Sequence, residues 1–154
     1  MVFFDGACRG SPGLCRNGIV FHLNADHYYL LKLGAGRGTN TQAEIVALWV
    51  LLYFTKDKGY RSLQVAGDSR VIIDWFNGYR TPGAVGSLVL LPWKRRIQEL
   101  QESFDSVFIE HIHHEFNHQA DVLSEEALIL NEGLFVCSED QGDEMFPESQ
   151  LVLF

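Results

Sequence analysis

Four acidic residues of this chain stand beside the predicted ends of secondary-structure elements, where their side chains could do chemistry together. They are Asp5, Glu44, Asp68 and Asp121. Asp5 and Asp68 each follow a short apolar strand, and ligands of open α/β sheets bind at the carboxyl ends of strands. Glu44 lies in the first turn of one predicted helix and Asp121 near the start of another. The four carboxylates could therefore converge on one site.

Convergent carboxylates repel each other and are tolerated where a hard cation neutralises them. Mg²⁺ accepts a few carboxylate oxygens and keeps its other positions for water and phosphate oxygens. Two such ions about 4 Å apart could hold the attacking water and the leaving oxygen of a phosphodiester. The acids thus predict a metal-dependent phosphodiester hydrolase.

Each acid also has a purely structural explanation. Glu44 follows Thr41 by three residues, which is the spacing of a capping box, and Asp121 would be favourable near a helix N-terminus without any ligand. An Asp at a strand end is often simply solvated, although Asp5 and Asp68 both lie in turns of glycine or small residues. At this level a shared site is a hypothesis.

Patterns of apolar residues predict the first elements that would position these acids. Residues 3–5, 19–23 and 28–33 indicate the strands of an antiparallel meander, joined by a glycine-rich turn and a hairpin turn. The first strand begins almost at residue 1, so we expect it to be short, as in a piece of a longer protein. Residues 41–59 carry apolar side chains at helical spacing and end at a glycine.

The second half of the chain predicts alternating strands and helices. They are a strand at 63–67, a helix around 71–76, a helix over 87–103 in which Pro92 marks a kink or a late start, a strand at 107–112 and a helix over 118–129. The resulting order, β-β-β-α-β-α-α-β-α, predicts an α+β fold with parallel crossovers after the meander.

Composition indicates one domain with an acidic end. The chain has 154 residues, of which 47% are hydrophobic, enough for a single buried core. Its net charge of −8 counts against binding nucleic acid through bulk charge. Residues 125–148 hold eight acidic residues and no Lys or Arg, and the remainder is balanced at 12 of each sign. We predict a catalytic domain over residues 1–130 and an acidic, partly ordered extension over residues 131–154.

The cysteines and the hydropathy of the chain bear on its compartment. Cys8, Cys15 and Cys137 are an odd number without metal-ligand spacing, which predicts three free thiols in a reducing compartment. No stretch reaches the ~18 apolar residues of a membrane helix, and no signal-peptide pattern precedes the first strand. We expect an intracellular protein of the cytoplasm or nucleus with no membrane partner.

Four motifs, in order, carry a resemblance to a known family. They are Phe-Asp-Gly-Ala-Cys-Arg-Gly-Ser-Pro-Gly at 4–13, Thr-Asn-Thr-Gln-Ala-Glu at 39–44, Gly-Asp-Ser at 67–69, and His-Ile-His-His-Glu-Phe-Asn-His-Gln-Ala-Asp-Val-Leu-Ser at 111–124. With the elements between them, they cover residues 2 to about 130. The chain resembles the type 1 ribonuclease H family, most closely the cellular and plant transposon-associated, reverse transcriptase-like domains.

The resemblance implies a fold and an activity. The fold is the RNase H-like one, a three-layer α+β arrangement with a five-stranded mixed sheet flanked by helices. The activity is hydrolysis of the RNA strand of RNA–DNA hybrids with two Mg²⁺ ions, for which Mn²⁺ is an expected substitute. Asp5 would bridge both ions, and Glu44, Asp68 and Asp121 would complete the metal set.

The resemblance also implies contacts with the substrate. Backbone atoms of the first glycine turn and the Glu44 side chain would test for 2′-hydroxyls, which distinguish RNA from DNA. Arg37 and Thr39 match positions that contact a DNA-strand phosphate, and Asn40 matches one that contacts the minor groove. The complete set of expected substrate-binding residues is Gly6, Gly10, Ser11, Gly13, Arg37, Thr39, Asn40 and Ser69.

Two departures from the family pattern change these expectations. The bacterial lysine-rich protrusion is absent, and the only compact basic cluster is residues 94–96, so we expect weak binding. Many members carry Arg where this chain has His114. Four histidines crowd the last motif, and we expect His114 or His118 to shuttle protons to the leaving group.

Two other functions compete with the nuclease. The chain could be a weak or inactive ribonuclease H-like module that docks onto nucleic acid or protein, for example a reverse transcriptase within a retroelement polyprotein. Loss of a catalytic carboxylate would favour such a docking module, and none of the four carboxylates is lost. The first motif of a 3′–5′ exonuclease would be Asp-x-Glu, whereas this chain has Ala7 two residues after Asp5, where the Glu would stand.

For the oligomeric state, we expect a monomer.

Overall fold

One mixed β-sheet of eight strands runs through the computed structural model, which describes residues 1–10, 13–79, 88–141, 144–145 and 148–153. The strands are β1 (Val2–Gly10), β2 (Gly13–His22), β3 (His27–Gly38), β4 (Ser62–Gly67), β5 (Ser106–His111), β6 (Leu134–Gln141), β7 (Glu144–Met145) and β8 (Ser149–Val152). Their order is β5-β4-β1-β2-β3-β6-β7, and β8 also pairs with β6. Strands β1, β4 and β5 are parallel, whereas the other neighbours are antiparallel.

Helices cover both faces of this sheet. They are α1 (Asn40–Asp57), α2 (Arg70–Phe76), α3 (Leu91–Gln101) and α4 (His118–Glu126). Helix α1 is apolar almost all round and packs between the sheet and α3, with Ile45, Leu48 and Leu51 fully buried. A smaller cluster of Val20, Ala120 and Leu123 joins α4 to the opposite face. The predicted three-layer α+β fold is confirmed.

The predicted element order is confirmed, but the strands of the first meander are longer than the sequence indicated. Strand β1 has nine residues, so the expectation of a short strand ending at Asp5 is wrong. It is long because it pairs with β2 as far as Gly10, whereas its parallel pairing with β4 ends at Phe4. Strands β2 and β3 likewise extend into the predicted glycine-rich turn and beyond residue 33.

The strands described after residue 130 belong to the sheet, which differs from the predicted five strands and loose extension. Strand β6 pairs with β3 from Leu33–Phe135 to His27–Gln141. Its apolar residues Phe135 and Cys137 enter the core, and its acidic residues meet partners on β3. Glu139 lies 2.8 Å from His27, and the Tyr28 hydroxyl donates to Asp140 at 2.8 Å. Acidity is therefore compatible with a strand here because hydrogen-bond donors on β3 face the carboxylates.

Of three smaller expectations, the one about the cysteines is wrong and the two about the helices are refined in their bounds. Cys8 and Cys15 form a disulfide across the β1–β2 ladder, so three free thiols were wrongly predicted, and Cys137 alone is free and buried. Helix α3 starts late, at Leu91, with Pro92 in its first turn, where the missing N–H costs nothing. The last helix ends at Glu126 and continues as a 3₁₀ turn to Ile129.

Within the described part of the chain, none of the helices is both long enough and apolar enough to cross a bilayer.

Candidate active site

The site begins where two parallel strands stop pairing. Phe4 of β1 is opposite Gly67 of β4 in the last pair of that ladder, so Asp5 and Asp68 follow side by side at one edge of the sheet. Asp5 is 5% exposed, and the Asp68 side chain is 12% exposed. Parallel register thus explains why two residues 63 positions apart share a site.

Helix α1 brings Glu44 to the same place. Its N-cap is Thr39, whose hydroxyl accepts from the Gln42 N–H at 3.2 Å, so Glu44 is not the acid of a capping box at Thr41. Gly6 lets the helix approach β1, because a Cβ there would lie 2.6 Å from the Ala43 carbonyl oxygen. Carboxylate oxygens of Asp5, Glu44 and Asp68 consequently all lie within 4.8 Å of one another.

Helix α4 supplies the fourth acid from the other face of the sheet. The Asn117 Nδ2 atom donates to the Phe4 carbonyl at 2.9 Å, and the Asp121 N–H donates to the Asn117 carbonyl at 3.1 Å. Asp121 lines the same cleft as the three other acids and interacts with the Asp5 carboxyl. The structure therefore brings all four predicted acids to one cleft of about 550 Å³.

The electrostatics of the cleft favour bound positive charge. Burial and then the charge of Asp68 raise the pKa of Asp5 to about 7. Burial and then the charge of Asp5 raise the pKa of Glu44 well above its ordinary value. The Oε2 atom of Glu44 is buried with no hydrogen-bond partner. Among the described residues lining the cleft there is no Lys or Arg. A bound cation would therefore neutralise carboxylates that no Lys or Arg of the cleft neutralises.

Three histidines line the cleft beside the acids, and His114 makes the closest contact. Its Nδ1 atom lies 2.6 Å from Oδ2 of Asp68, and this hydrogen bond raises the pKa of His114. The ring is 67% exposed and can exchange protons with water. His111 Nδ1 lies 3.2 Å from a guanidinium nitrogen of Arg70. His118 is exposed on α4 and does not line the cleft, so the structure separates the two predicted proton shuttles.

Only part of the set of residues expected to bind substrate lines or adjoins the cleft. Gly6 and Asn40 line it, and the Asn40 Oδ1 atom accepts from the Cys8 N–H at 2.9 Å. Thr39 and the exposed Arg37 lie next to Asn40, where β3 leads into α1. The others lie elsewhere: Gly10 and Gly13 close the β1–β2 ladder, Ser69 is the N-cap of α2, and Ser11 lies outside the described residues.

Two buried residues beside the acids escaped the sequence reasoning. Ser124 is fully buried, and its hydroxyl donates to the Asp121 carbonyl at 2.8 Å and lies 3.5 Å from Oδ2 of Asp5. Asn117 is 1% exposed and ties α4 to β1. Their signals were their spacing from Asp121, three residues after and four before, which places both near it on a helix.

Comparison with known proteins places this site in a family. The model of the reverse transcriptase-like family matches residues 3–127, which include all four acids. The chain belongs to this ribonuclease H-like family. The family assignment inferred from the four motifs is thereby confirmed.

Relatives of the family share sequence and structure with the chain. A curated ribonuclease HI of Halobacterium salinarum is 34% identical to this chain over 129 residues. The match covers 82% of this chain and 63% of that protein, so the chain spans less than two thirds of the length of this relative. The crystal structure of RNase H1 from the same archaeon has a TM-score of 0.71 at 32% identity, covering 82% of this chain and 95% of that one. The N-terminal RNase H domain of a Mycobacterium tuberculosis protein, solved as a maltose-binding-protein fusion, has a TM-score of 0.70 at 26% identity, covering 82% and 98%.

Proposed function

We propose that this chain is an endoribonuclease that hydrolyses the RNA strand of RNA–DNA hybrids by two-metal-ion catalysis. The observation that carries the proposal is the convergence of Asp5, Glu44 and Asp68 within 4.8 Å, with Asp121 in the same cleft. The names of the relatives, ribonuclease HI and RNase H1, support the same reaction class. An intact set of four acids favours catalysis over a docking role.

The donor set fits divalent cations. Hard cations prefer carboxylate oxygens, and the unpartnered Oε2 of Glu44 and the mutual repulsion of the acids are what such ions would relieve. Asp5, Glu44, Asp68 and Asp121 would hold these ions. Bound there, Mg²⁺ or Mn²⁺ would supply an activated water and stabilise the departing 3′-oxygen of the RNA, leaving 5′-phosphate and 3′-hydroxyl ends.

The protein's own groups have separate tasks in this reaction. Asp68 holds the His114 ring at its Nδ1 atom, which leaves Nε2 free to give a proton to the leaving oxygen or to take one from water. Backbone groups of Gly6 and Ala7 and the Asn40 side chain lie beside the acids, where they would contact the ribose and base edges of the hybrid.

The charge of the chain limits how it binds the hybrid. With a net charge of −8 and no Lys or Arg among the described cleft residues, few phosphates would be neutralised, so binding of the hybrid is weak. We further propose an intracellular monomer acting in a retroelement or cellular context.

Cleavage of a labelled hybrid tests the proposal directly. Purified chain is incubated at low salt with an RNA–DNA hybrid, single-stranded RNA or double-stranded DNA, with Mg²⁺, Mn²⁺ or EDTA. We expect cleavage of RNA in the hybrid only, absent with EDTA and reduced at least about a thousandfold in Asp68→Asn, because that change removes a charged ligand. Cleavage by Asp68→Asn at the parent rate would point to a contaminating nuclease.

A histidine pair sharpens the same assay. His114→Ala is expected to lower kcat by about 100-fold, the lower end of the usual contribution of one acid–base group. His118 is exposed and lies outside the cleft, so His118→Ala should leave kcat within about twofold. Equal losses in both variants would contradict the assignment to His114. No cleavage with either metal would move the chain to the docking class.

A further inference from the structure

The Cys8–Cys15 disulfide lies toward the end of the β1–β2 hairpin, and Cys8 directly follows Ala7, which lines the cleft. The two cysteines are directly opposite each other in the ladder, two positions before the closing pair Gly10–Gly13. Gly10 has a φ of +90°, a backbone conformation that residues other than glycine rarely adopt. The covalent link therefore restrains the part of the hairpin that leads to the Gly10–Gly13 pair.

The same cysteines contact the start of helix α1. The Cys8 N–H donates to Oδ1 of Asn40 at 2.9 Å, and the Cys15 Sγ atom lies 3.7 Å from the Thr39 carbonyl oxygen. Asn40 lines the cleft with the acids. The cross-linked part of the hairpin is thus joined to the Thr39–Asn40 corner by a hydrogen bond and a sulfur contact.

We propose that Cys8 and Cys15 are redox-sensitive positioning residues, whose disulfide holds the hairpin and Asn40 ready for the RNA–DNA hybrid. This inference rests on the proposed function. In the oxidised chain these groups are already ordered before binding, so less conformational entropy is lost when the hybrid binds. In the reduced chain the hairpin end loses its cross-link, and hybrid affinity falls while the acids stay in place.

The disulfide can form by exchange with a low-molecular-weight disulfide such as oxidised glutathione. Cys8 is the more accessible of the two, since Cys15 is 5% exposed. The Cys8 thiolate attacks one sulfur of the small disulfide and releases a first thiolate, and the Cys15 thiolate then attacks the Cys8 Sγ atom and releases a second. The small disulfide takes two electrons from the protein, and the two protein thiol protons end on the released thiols.

Hybrid affinity in the two redox states tests the proposal. The full chain carrying Asp68→Asn is prepared with its thiols reduced or equilibrated with oxidised glutathione, and peptide mass spectrometry under non-reducing conditions establishes the Cys8–Cys15 link. The Kd for a fluorescent hybrid is measured by anisotropy. We expect the oxidised chain to bind about five- to tenfold more tightly, with no difference between states in Cys8→Ser or Cys15→Ser. Cys137→Ala, which alters the buried free thiol, should keep the full difference.

The outcomes separate this proposal from the proposed function. Cleavage by the parent chain with equal Kd in both redox states would overturn the positioning role and leave the nuclease intact. Failure of the bond to form with oxidised glutathione would overturn it as well. In the parent chain, a redox effect on kcat rather than on KM would also contradict it, because the cysteines touch substrate-contacting groups and not the acids. A formed bond with no hybrid binding in either state would reject both proposals.

Discussion

At the residue scale, the site is an acid cluster that the fold holds at a cost in stability. Burial and the charge of Asp68 raise the pKa of Asp5 to about 7, and the pKa of Glu44 is raised in the same direction. Between pH 4 and 7 the folded chain therefore binds more protons than the unfolded chain. Stability of the metal-free protein falls as pH rises through that window, because the unfolded chain binds fewer protons than the folded chain.

The pH dependence gives a prediction for Asp5. Without metal, the Tm of the parent chain should fall by roughly 5 °C between pH 5.5 and pH 8, and Asp5→Asn should fall by less than half as much, because the amide does not ionise. Mg²⁺ or Mn²⁺ should restore the parent Tm at pH 8 and leave Asp5→Asn nearly unchanged. Calorimetry with EDTA or metal measures both effects. Parallel pH slopes in the two proteins would show that Asp5 is not the group responsible.

At the element scale, the acids converge because glycines let helices approach the sheet closely. A Cβ at Gly18 would lie 2.3 Å from the Ala120 carbonyl oxygen and 2.5 Å from the Ser124 nitrogen, so any side chain would push α4 outward. Asp121 lies on this helix, one residue after Ala120. Helix placement and the fourth acid are therefore coupled through one glycine.

Gly18→Ala is expected to lower the free energy of unfolding by about 1–3 kcal/mol, the usual cost of overpacking, and to reduce activity further than the loss of folded protein explains. Urea unfolding and kcat, measured where the variant is fully folded, separate the two effects. Gly59→Asn is the matched control, since nothing lies within 4 Å of a Cβ there and Asn tolerates its φ of +87°. Normal kcat in folded Gly18→Ala would show that α4 can shift without moving Asp121 from the site.

The sequence predicted elements whose pattern is local and missed those decided by long-range pairing. Helical periodicity located α1 and α4, and a short apolar run located β4, so Glu44, Asp121 and Asp68 could be placed on or beside the right elements. The ends of β1, β2 and β3 that lie around Gly10, Gly13 and Gly38 are rich in Gly, Cys and Arg, a composition that does not by itself predict a strand. These ends are extended because they pair with one another. Asp5 was misplaced at a strand end for that reason.

At the scale of the whole molecule, the acidic C-terminal segment is part of the sheet rather than an appendage. It lies beyond the residues matched by the family model, yet β6 covers the edge of β3 along seven residue pairs. Phe135 is 6% exposed and packs against Phe54 of α1 at a ring-centroid distance of 6.2 Å. An uncovered β3 would expose both unpaired backbone groups and this apolar surface.

Phe135→Ala tests whether this segment stabilises the domain. Removing a buried aromatic ring should lower the free energy of unfolding by about 3–5 kcal/mol, because the neighbours fill the cavity only in part. Leu151→Ala on β8, where the side chain is 52% exposed, should change it by less than about 1 kcal/mol. Urea unfolding followed by tryptophan fluorescence measures both variants. If Phe135→Ala were as stable as the parent chain, the packing of β6 against α1 would contribute little to the stability of the domain.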